Sequence, residues 1–245
     1  MLVVEKDLGA AVIFFVTYIV MLYVATRRAM WPLMGLAAGA GASVVAYHLF
    51  DHVKRRVVAW KDPWGNYNDA GYQIAQSLFA KEIDPAVSGR VPVLLSRDNR
   101  YFQDTYQGMP KDIPVRESDF IFAVIAEELG GFFAICLILV FMSCFIMFIN
   151  ISLRLTNNFY KLLAIGLSIA YGFQLFLCIG GVIKFIPHTG VTLPLISYGG
   201  SSILSTIIVF AVIQGLYLLK QKEVKEIEEK RRESEQRQWN DQTRV

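Results

Sequence analysis

Three carboxylates gather where a polar loop of this chain runs into an apolar segment: Asp119, in Ser118-Asp119-Phe120, and Glu127-Glu128 just before Leu129-Gly130. Charged side chains at membrane depth are expensive and are usually kept for a task. Asp119 also fits a plainer part, as the N-cap of a helix that starts at Phe120, because an Asp oxygen accepts from free backbone N–H groups there. Glu127 and Glu128 read as structural or cavity-supporting charges rather than reacting groups. His48 and His52 have the i,i+4 spacing of two metal ligands on one helix face, but no third ligand accompanies them. The Ser197-Tyr198-Gly199-Gly200-Ser201-Ser202 run offers hydroxyls with no base placed to activate one, so it reads as a tight turn with hydroxyl support.

The elements that must position these groups are membrane spans. The chain has 245 residues, is 54% hydrophobic and has a mean hydropathy of +0.41, above that of ordinary soluble domains. Its net charge of +3 gives no reason to expect nucleic acid as a partner. Cys136, Cys144 and Cys178 all lie in apolar runs without metal-like pairing. Five runs reach the roughly 20 residues that a spanning helix needs; they cover about 8–26, 30–50, 131–151, 160–182 and 201–219. The first is not a secretory signal, since Glu5 and Asp7 spoil a basic leader, the run is too long and no cleavage site follows. The expectation is an all-α polytopic membrane protein with a single membrane domain over 1–219. Arg27 and Arg28, Arg154 and Lys161, and Lys220 and Lys222 can all be cytoplasmic if the spans alternate. That arrangement puts the C-terminus in the cytoplasm, and the large loop 51–119 and the loop at 183–200 outside.

Within this frame, Gly35, Gly39 and Gly41 give the second span a small-residue face for close helix packing. The outer loop is too long for a plain connector. It opens on a basic, helix-like stretch, carries helical apolar spacing over 71–80, and is broken by Pro85, Pro92, Pro110 and Pro114. Between the last two spans, Gly180-Gly181, Pro187, Pro194 and Gly199-Gly200 alternate with apolar residues. Irregular backbone at membrane depth must line a cavity or be buried in protein, so a re-entrant-like loop is expected here. Residues 220–245 are dense in Lys, Arg and Glu without an apolar stripe, with helical pairs such as Glu226–Lys230, and read as a charged cytoplasmic tail that forms a solvated helix fraying toward its end.

Several of these segments resemble the signatures of the shape, elongation, division and sporulation (SEDS) proteins, the FtsW/RodA/SpoVE family. They are Ser118-Asp119-Phe120-Ile121-Phe122-Ala123 through Glu127-Glu128-Leu129-Gly130, Gly180-Gly181-Val182, and Pro187-His188-Thr189-Gly190-Val191-Thr192-Leu193-Pro194 onward to Ser202. Asp7-Leu8-Gly9, Arg56 ahead of Pro63-Trp64, and Gly71-Tyr72-Gln73 add to the match. Several motifs in the right order make a specific signal. The resemblance covers nearly the whole chain but corresponds to the last five of the family's ten spans.

The resemblance implies a peptidoglycan glycosyltransferase that polymerises lipid II outside the cytoplasmic membrane and works with a class B penicillin-binding protein, a transpeptidase. It implies that Asp119 is the catalytic carboxylate, suited to act as general base for the attacking sugar hydroxyl. Arg56 falls on a family position and can grip a phosphate bidentately. Lys184, Glu128, His188 and Ser197 complete the candidate substrate-binding set. No metal site is expected; a divalent cation near the pyrophosphate fits on chemical grounds, but no ligand set for one is present. Two departures stand out: a family Gly-x-Gly-Leu-Gly stretch is absent from the outer loop, and Glu117-Ser118 replaces the usual His-Thr. Two other readings stay open, a lipid II flippase and a non-catalytic fragment that binds a partner.

Overall fold

The computed structural model describes residues 7–63, 65 and 118–242. The helices in chain order are α1 (Leu8–Thr26), α2 (Met30–Leu49), α3 (Asp51–Lys61), α4 (Ile121–Glu128), α5 (Gly130–Leu153), α6 (Asn158–Val182) and α7 (Gly200–Gln242). The described residues form no strand, and five helices are long and apolar enough to cross a membrane, α1, α2, α5, α6 and α7. The protein is therefore all-helical and polytopic, as its apolar runs imply. Residues 71–80 of the outer loop, with their helical spacing, lie outside the described residues.

Local chemistry sets the helix ends. The Asp7 carboxylate accepts from Ala10 N at 3.0 Å and starts α1, and Arg27, at φ 56°, stops it in the left-handed region. Asn157 caps α6 through Phe159 N. At the other end of α6, Lys184 N donates to the Gly181 carbonyl and Phe185 N to the Gly180 carbonyl, with Lys184 at φ 61°. Those two bonds make a Schellman ending, in which glycine normally takes the left-handed place that lysine holds here. Gly130, at φ 84°, turns the chain at the start of α5, with Leu129 between it and the end of α4. α7 runs unbroken from the apolar span through the charged stretch to Gln242. Hydropathy changes at Lys220, but no residue there breaks a helix.

α6 is the centre of the body, packing against α1, α4, α5 and α7. Lipid is as apolar as a leucine side chain, so helices associate through close packing and polar bonds. Both devices are present. An added Cβ on Gly166 would meet Met21 of α1, and one on Gly172 would sit 2.4 Å from the Phe145 ring of α5. Gly35 and Gly39 likewise receive Ile19 and Phe15 of α1, whereas Gly41 faces open space. The buried hydroxyls of Ser152 and Ser168 stand 3.2 Å apart, each also within reach of the carbonyl one turn back, Phe148 or Ala164, so that one hydroxyl can donate across the helices while the other donates to its own helix.

Close packing and hydroxyl pairing can be separated experimentally. Ser168→Ala should cost about 0.6 kcal/mol, the usual worth of an interhelical hydroxyl bond in a membrane. Gly172→Leu should cost about 2 kcal/mol by overpacking. Unfolding of the two variants in mixed detergent micelles measures both, and the reverse order would make the hydroxyl pair the main tie between α5 and α6.

Candidate active site

The site forms where α3, the residues before α4 and the loop between α6 and α7 meet. α3 presents Val53, Arg56 and Ala59 at helical spacing; Val53 and Ala59 are buried, while Lys54 and Arg55 on the opposite side are exposed. This buried stripe carries the Arg56 guanidinium inward, where Nη1 donates to the Thr189 carbonyl at 2.7 Å. One turn on, Trp60 Nε1 donates to the Lys184 carbonyl at 3.0 Å. From the other side, Gly9 of α1 comes so close that an added Cβ would lie 2.3 Å from Val191 and 3.3 Å from the Thr189 carbonyl.

Asp119 is fixed by its neighbours. Phe120 is buried and its ring stacks on His188 with centroids 4.3 Å apart. The buried Ser197 hydroxyl donates to the Ser118 carbonyl and accepts from Leu193 N. The helix cap at this point is Phe120, and no side chain caps α4. The Asp119 carboxylate therefore does not take the capping role that its type and position allow. It lies instead beside Gly190: Asp119 Oδ2 and Arg56 Nη2 sit 3.5 and 3.7 Å from the point where a Cβ would stand on that residue. Gly190 adopts φ 75°, and its missing side chain leaves the space between carboxylate and guanidinium open.

The electrostatics are a contest. Burial pushes the Asp119 carboxyl above its ordinary value; a hydrogen bond from the Ser118 side chain and the Arg56 charge act against this, and the nearby Asp7 adds to it. His188 is pushed down to about 4, first by burial and then by Arg56, so its imidazole is neutral at pH 7. Both His188 ring nitrogens and Thr189 Oγ1 are buried with no hydrogen-bond partner among the described residues. Buried polar atoms are rarely left so, and three together beside a carboxylate make a place suited to a polar ligand.

The structure thus brings Asp119, Arg56, His188 and Ser197 together. Lys184 meets the group through its backbone, in the Schellman turn and at Trp60, and the charges felt at the Asp119 carboxyl are those of Arg56 and Asp7. The side chains of Glu127 and Glu128 lie outside the described residues. Asp7 and Thr189 are the participants that residue-by-residue reasoning missed; both sit inside quoted motifs, which were the available signal. The His48 ring meets Tyr47 edge-on, and the His52 ring lies tilted against Phe50. Among the described residues no group of three or more His, Cys, Asp and Glu side chains comes together that could hold a metal ion, so the donor set for a divalent cation is not met by them.

A family model described as "Cell cycle protein", that of FtsW, RodA and SpoVE, matches residues 1–84 and 103–221, which contain every residue of this site. The chain belongs to the FtsW/RodA/SpoVE family. It is 37% identical over 212 residues to "Peptidoglycan glycosyltransferase RodA" of Mycobacterium tuberculosis, a match that covers 86% of this chain and 42% of that protein. It is 34% identical to "Probable peptidoglycan glycosyltransferase FtsW" of Aliivibrio salmonicida, over 83% of this chain and 48% of the relative. The chain thus spans about half the length of the curated relatives it matches. A solved chain from work on the structural coordination of polymerization and crosslinking by a peptidoglycan synthase complex has the same fold, with a TM-score of 0.67, 24% identity, and coverage of 90% of this chain and 57% of that one. A short match to the UDP-galactopyranose mutase model, over residues 66–113, falls outside the described residues.

The coupling of Arg56 to His188 can be read directly. In the wild-type chain the His188 imidazole should titrate at about 4 by ¹⁵N NMR in micelles. Removing a neighbouring positive charge favours the imidazolium, so Arg56→Gln should move the midpoint up, toward 6.5. An unmoved midpoint would mean that the guanidinium does not stand beside this loop.

Proposed function

We propose that the chain carries the catalytic site of a SEDS-type peptidoglycan glycosyltransferase, which extends glycan strands from lipid II at the outer face of a bacterial cytoplasmic membrane. The observation that carries the reading is the half-buried Asp119 carboxylate, free of any capping duty, facing Arg56 across the side-chain-free Gly190. Family membership and the names of the relatives support the substrate class.

In this mechanism the acceptor sugar 4-hydroxyl enters the space at Gly190 and gives its proton to an Asp119 oxygen. Its oxygen attacks the donor anomeric carbon, forming the new glycosidic bond. The bond from that carbon to the lipid pyrophosphate breaks, and the electron pair leaves with the pyrophosphate. Partial burial suits Asp119 to the task, because a raised carboxyl value makes a stronger base. Arg56 keeps one nitrogen on Thr189 and turns Nη2 toward Gly190, where it can meet the charge growing on the leaving group. The unpartnered His188 nitrogens and Thr189 hydroxyl would bond sugar or phosphate oxygens. Lys184 and Glu128 stay candidates for lipid II contact.

The remaining readings follow from the same picture. Residues 1–219 make a membrane domain whose site loops, 51–119 and 183–200, face outside, and the charged end of α7 lies in the cytoplasm. A class B penicillin-binding protein supplies crosslinking beside this polymerase; the solved neighbour of the same fold comes from a synthase complex that pairs polymerization with crosslinking.

Two measurements test the proposal. Purified chain, alone and with its transpeptidase, should convert fluorescent lipid II to polymer, and Asp119→Asn should reduce the rate about 10²–10⁴-fold. Unchanged polymerisation in the variant sinks the assignment, and movement of lipid II across liposomes without polymer would favour a flippase. The pH profile checks the electrostatics. The rate needs ionised Asp119, so it should fall on acidification through a midpoint above the ordinary carboxylate value. Asp7→Asn, which can still cap α1, removes a negative neighbour and should move that midpoint down; Arg56→Gln should move it up.

A further inference from the structure

At the opposite end of α5 and α7 from Asp119 the structure holds a cleft of about 850 Å³. Lys220 lies about 30 Å along α7 from Gly200 at 1.5 Å per residue, roughly the thickness of a bilayer's hydrocarbon core. One wall is apolar, made by Ile146, Met147 and Ile151 of α5. The lining is also basic: Arg154, the residue that ends α5, and Lys220 and Lys225 of α7 contribute to it, with Glu228 the single carboxylate among the lining residues. The nearby Glu223 is engaged by the Thr156 hydroxyl at 3.0 Å. Arg154, Lys220 and Lys225 have no ion-pair partner among the described residues. Three cations with no ion-pair partner among the described residues, against Glu228 in the lining and Glu223 nearby, are therefore set at the depth where two spanning helices pass from apolar to charged sequence.

The occupant of such a cleft must carry an anion at the interface and an apolar chain directed into the bilayer. A soluble nucleotide or free phosphate would leave the Ile146–Met147 wall facing nothing suited to it. We propose that this cleft holds one anionic phospholipid, with its phosphate among Arg154, Lys220 and Lys225 and an acyl chain along Ile146, Met147 and Ile151. Basic pockets between spanning helices recognise anionic headgroups by this combination of charge and depth. The site is separate from the reaction at Asp119 and does not rest on it. It ties the start of the long charged part of α7 to the membrane surface.

Native mass spectrometry of the whole chain in detergent, with phosphatidylglycerol and phosphatidylcholine of identical acyl chains, tests this. Phosphatidylglycerol should be retained about tenfold better, as a few basic contacts allow. Combined Arg154→Gln, Lys220→Gln and Lys225→Gln should abolish the preference, whereas Arg231→Gln with Arg232→Gln, on the exposed part of α7, should leave it intact. Met147→Trp fills the apolar wall while keeping every charge, and should weaken lipid retention even if the triple variant fails to fold. Equal retention of the two lipids overturns the proposal, as does loss of preference in the Arg231/Arg232 control. Competition by inorganic phosphate as effective as that by lipid, or a polypeptide adduct in place of lipid, also overturns it.

Discussion

The loop between α6 and α7 is irregular backbone fastened from outside itself, and the rest of the site depends on how that is done. Peptide groups at membrane depth cannot turn to water, so each must find a partner in the protein. Partners come from outside the loop, Arg56 for the Thr189 carbonyl, Trp60 for that of Lys184 and Gln174 for that of Thr192, while Ser197 within the loop accepts from Leu193 N and donates outward to the Ser118 carbonyl. The bond from Arg56 is the decisive one, because it joins residues 133 positions apart and places a permanent cation beside the loop. Arginine suits this double duty. Its planar fork can give one nitrogen to a carbonyl and keep others for an anion.

That single guanidinium then works on two titratable groups. It opposes the rise that burial imposes on Asp119 and deepens the fall that burial imposes on His188. The outcome is a half-buried carboxyl with a raised value near a neutral imidazole, beside a glycine with φ 75°. Burial alone would leave the carboxyl protonated more of the time, and full charge pairing would make it a weak base. Keeping Arg56 tied to Thr189 holds the pair between those extremes, since the guanidinium is close enough to act on the carboxylate while one nitrogen stays engaged.

The spans were legible in the sequence because hydropathy over about 20 residues reports the solvent directly. What the sequence concealed was which of several compatible roles a side chain takes. Asp119 has the type and place of a cap, yet Phe120 takes that position because its ring is buried against His188. Lys184 reads as a candidate substrate contact from its side chain, and its backbone also does structural work in a left-handed turn that its residue type does not announce. Asp7 caps α1 and also reaches the site's electrostatics, a pairing of residues 7 and 119 that no local pattern discloses. Gly41 matched the small-residue pattern of Gly35 and Gly39 but meets no neighbour, since spacing gives a face without saying what lies opposite. The unbroken α7 follows from ordinary helix formers on both sides of Lys220.

The bilayer also explains why fastening and chemistry share one place. None of the apolar window of α2 is buried, yet exposing apolar surface to lipid carries little cost, so no hydrophobic force presses α1–α3 onto the remaining helices. Their position must come from close contacts and polar bonds instead. Some lie within the bundle, such as Gly166 against Met21. Others lie at the site itself, with Gly9 against Val191, Arg56 on Thr189 and Trp60 on Lys184. A substitution that loosens the loop therefore also loosens the hold of α1–α3 on α6, and a substrate that bridges Arg56 and the loop would tighten both. In this architecture the binding energy of a polar ligand acts directly on the packing of the helices around it.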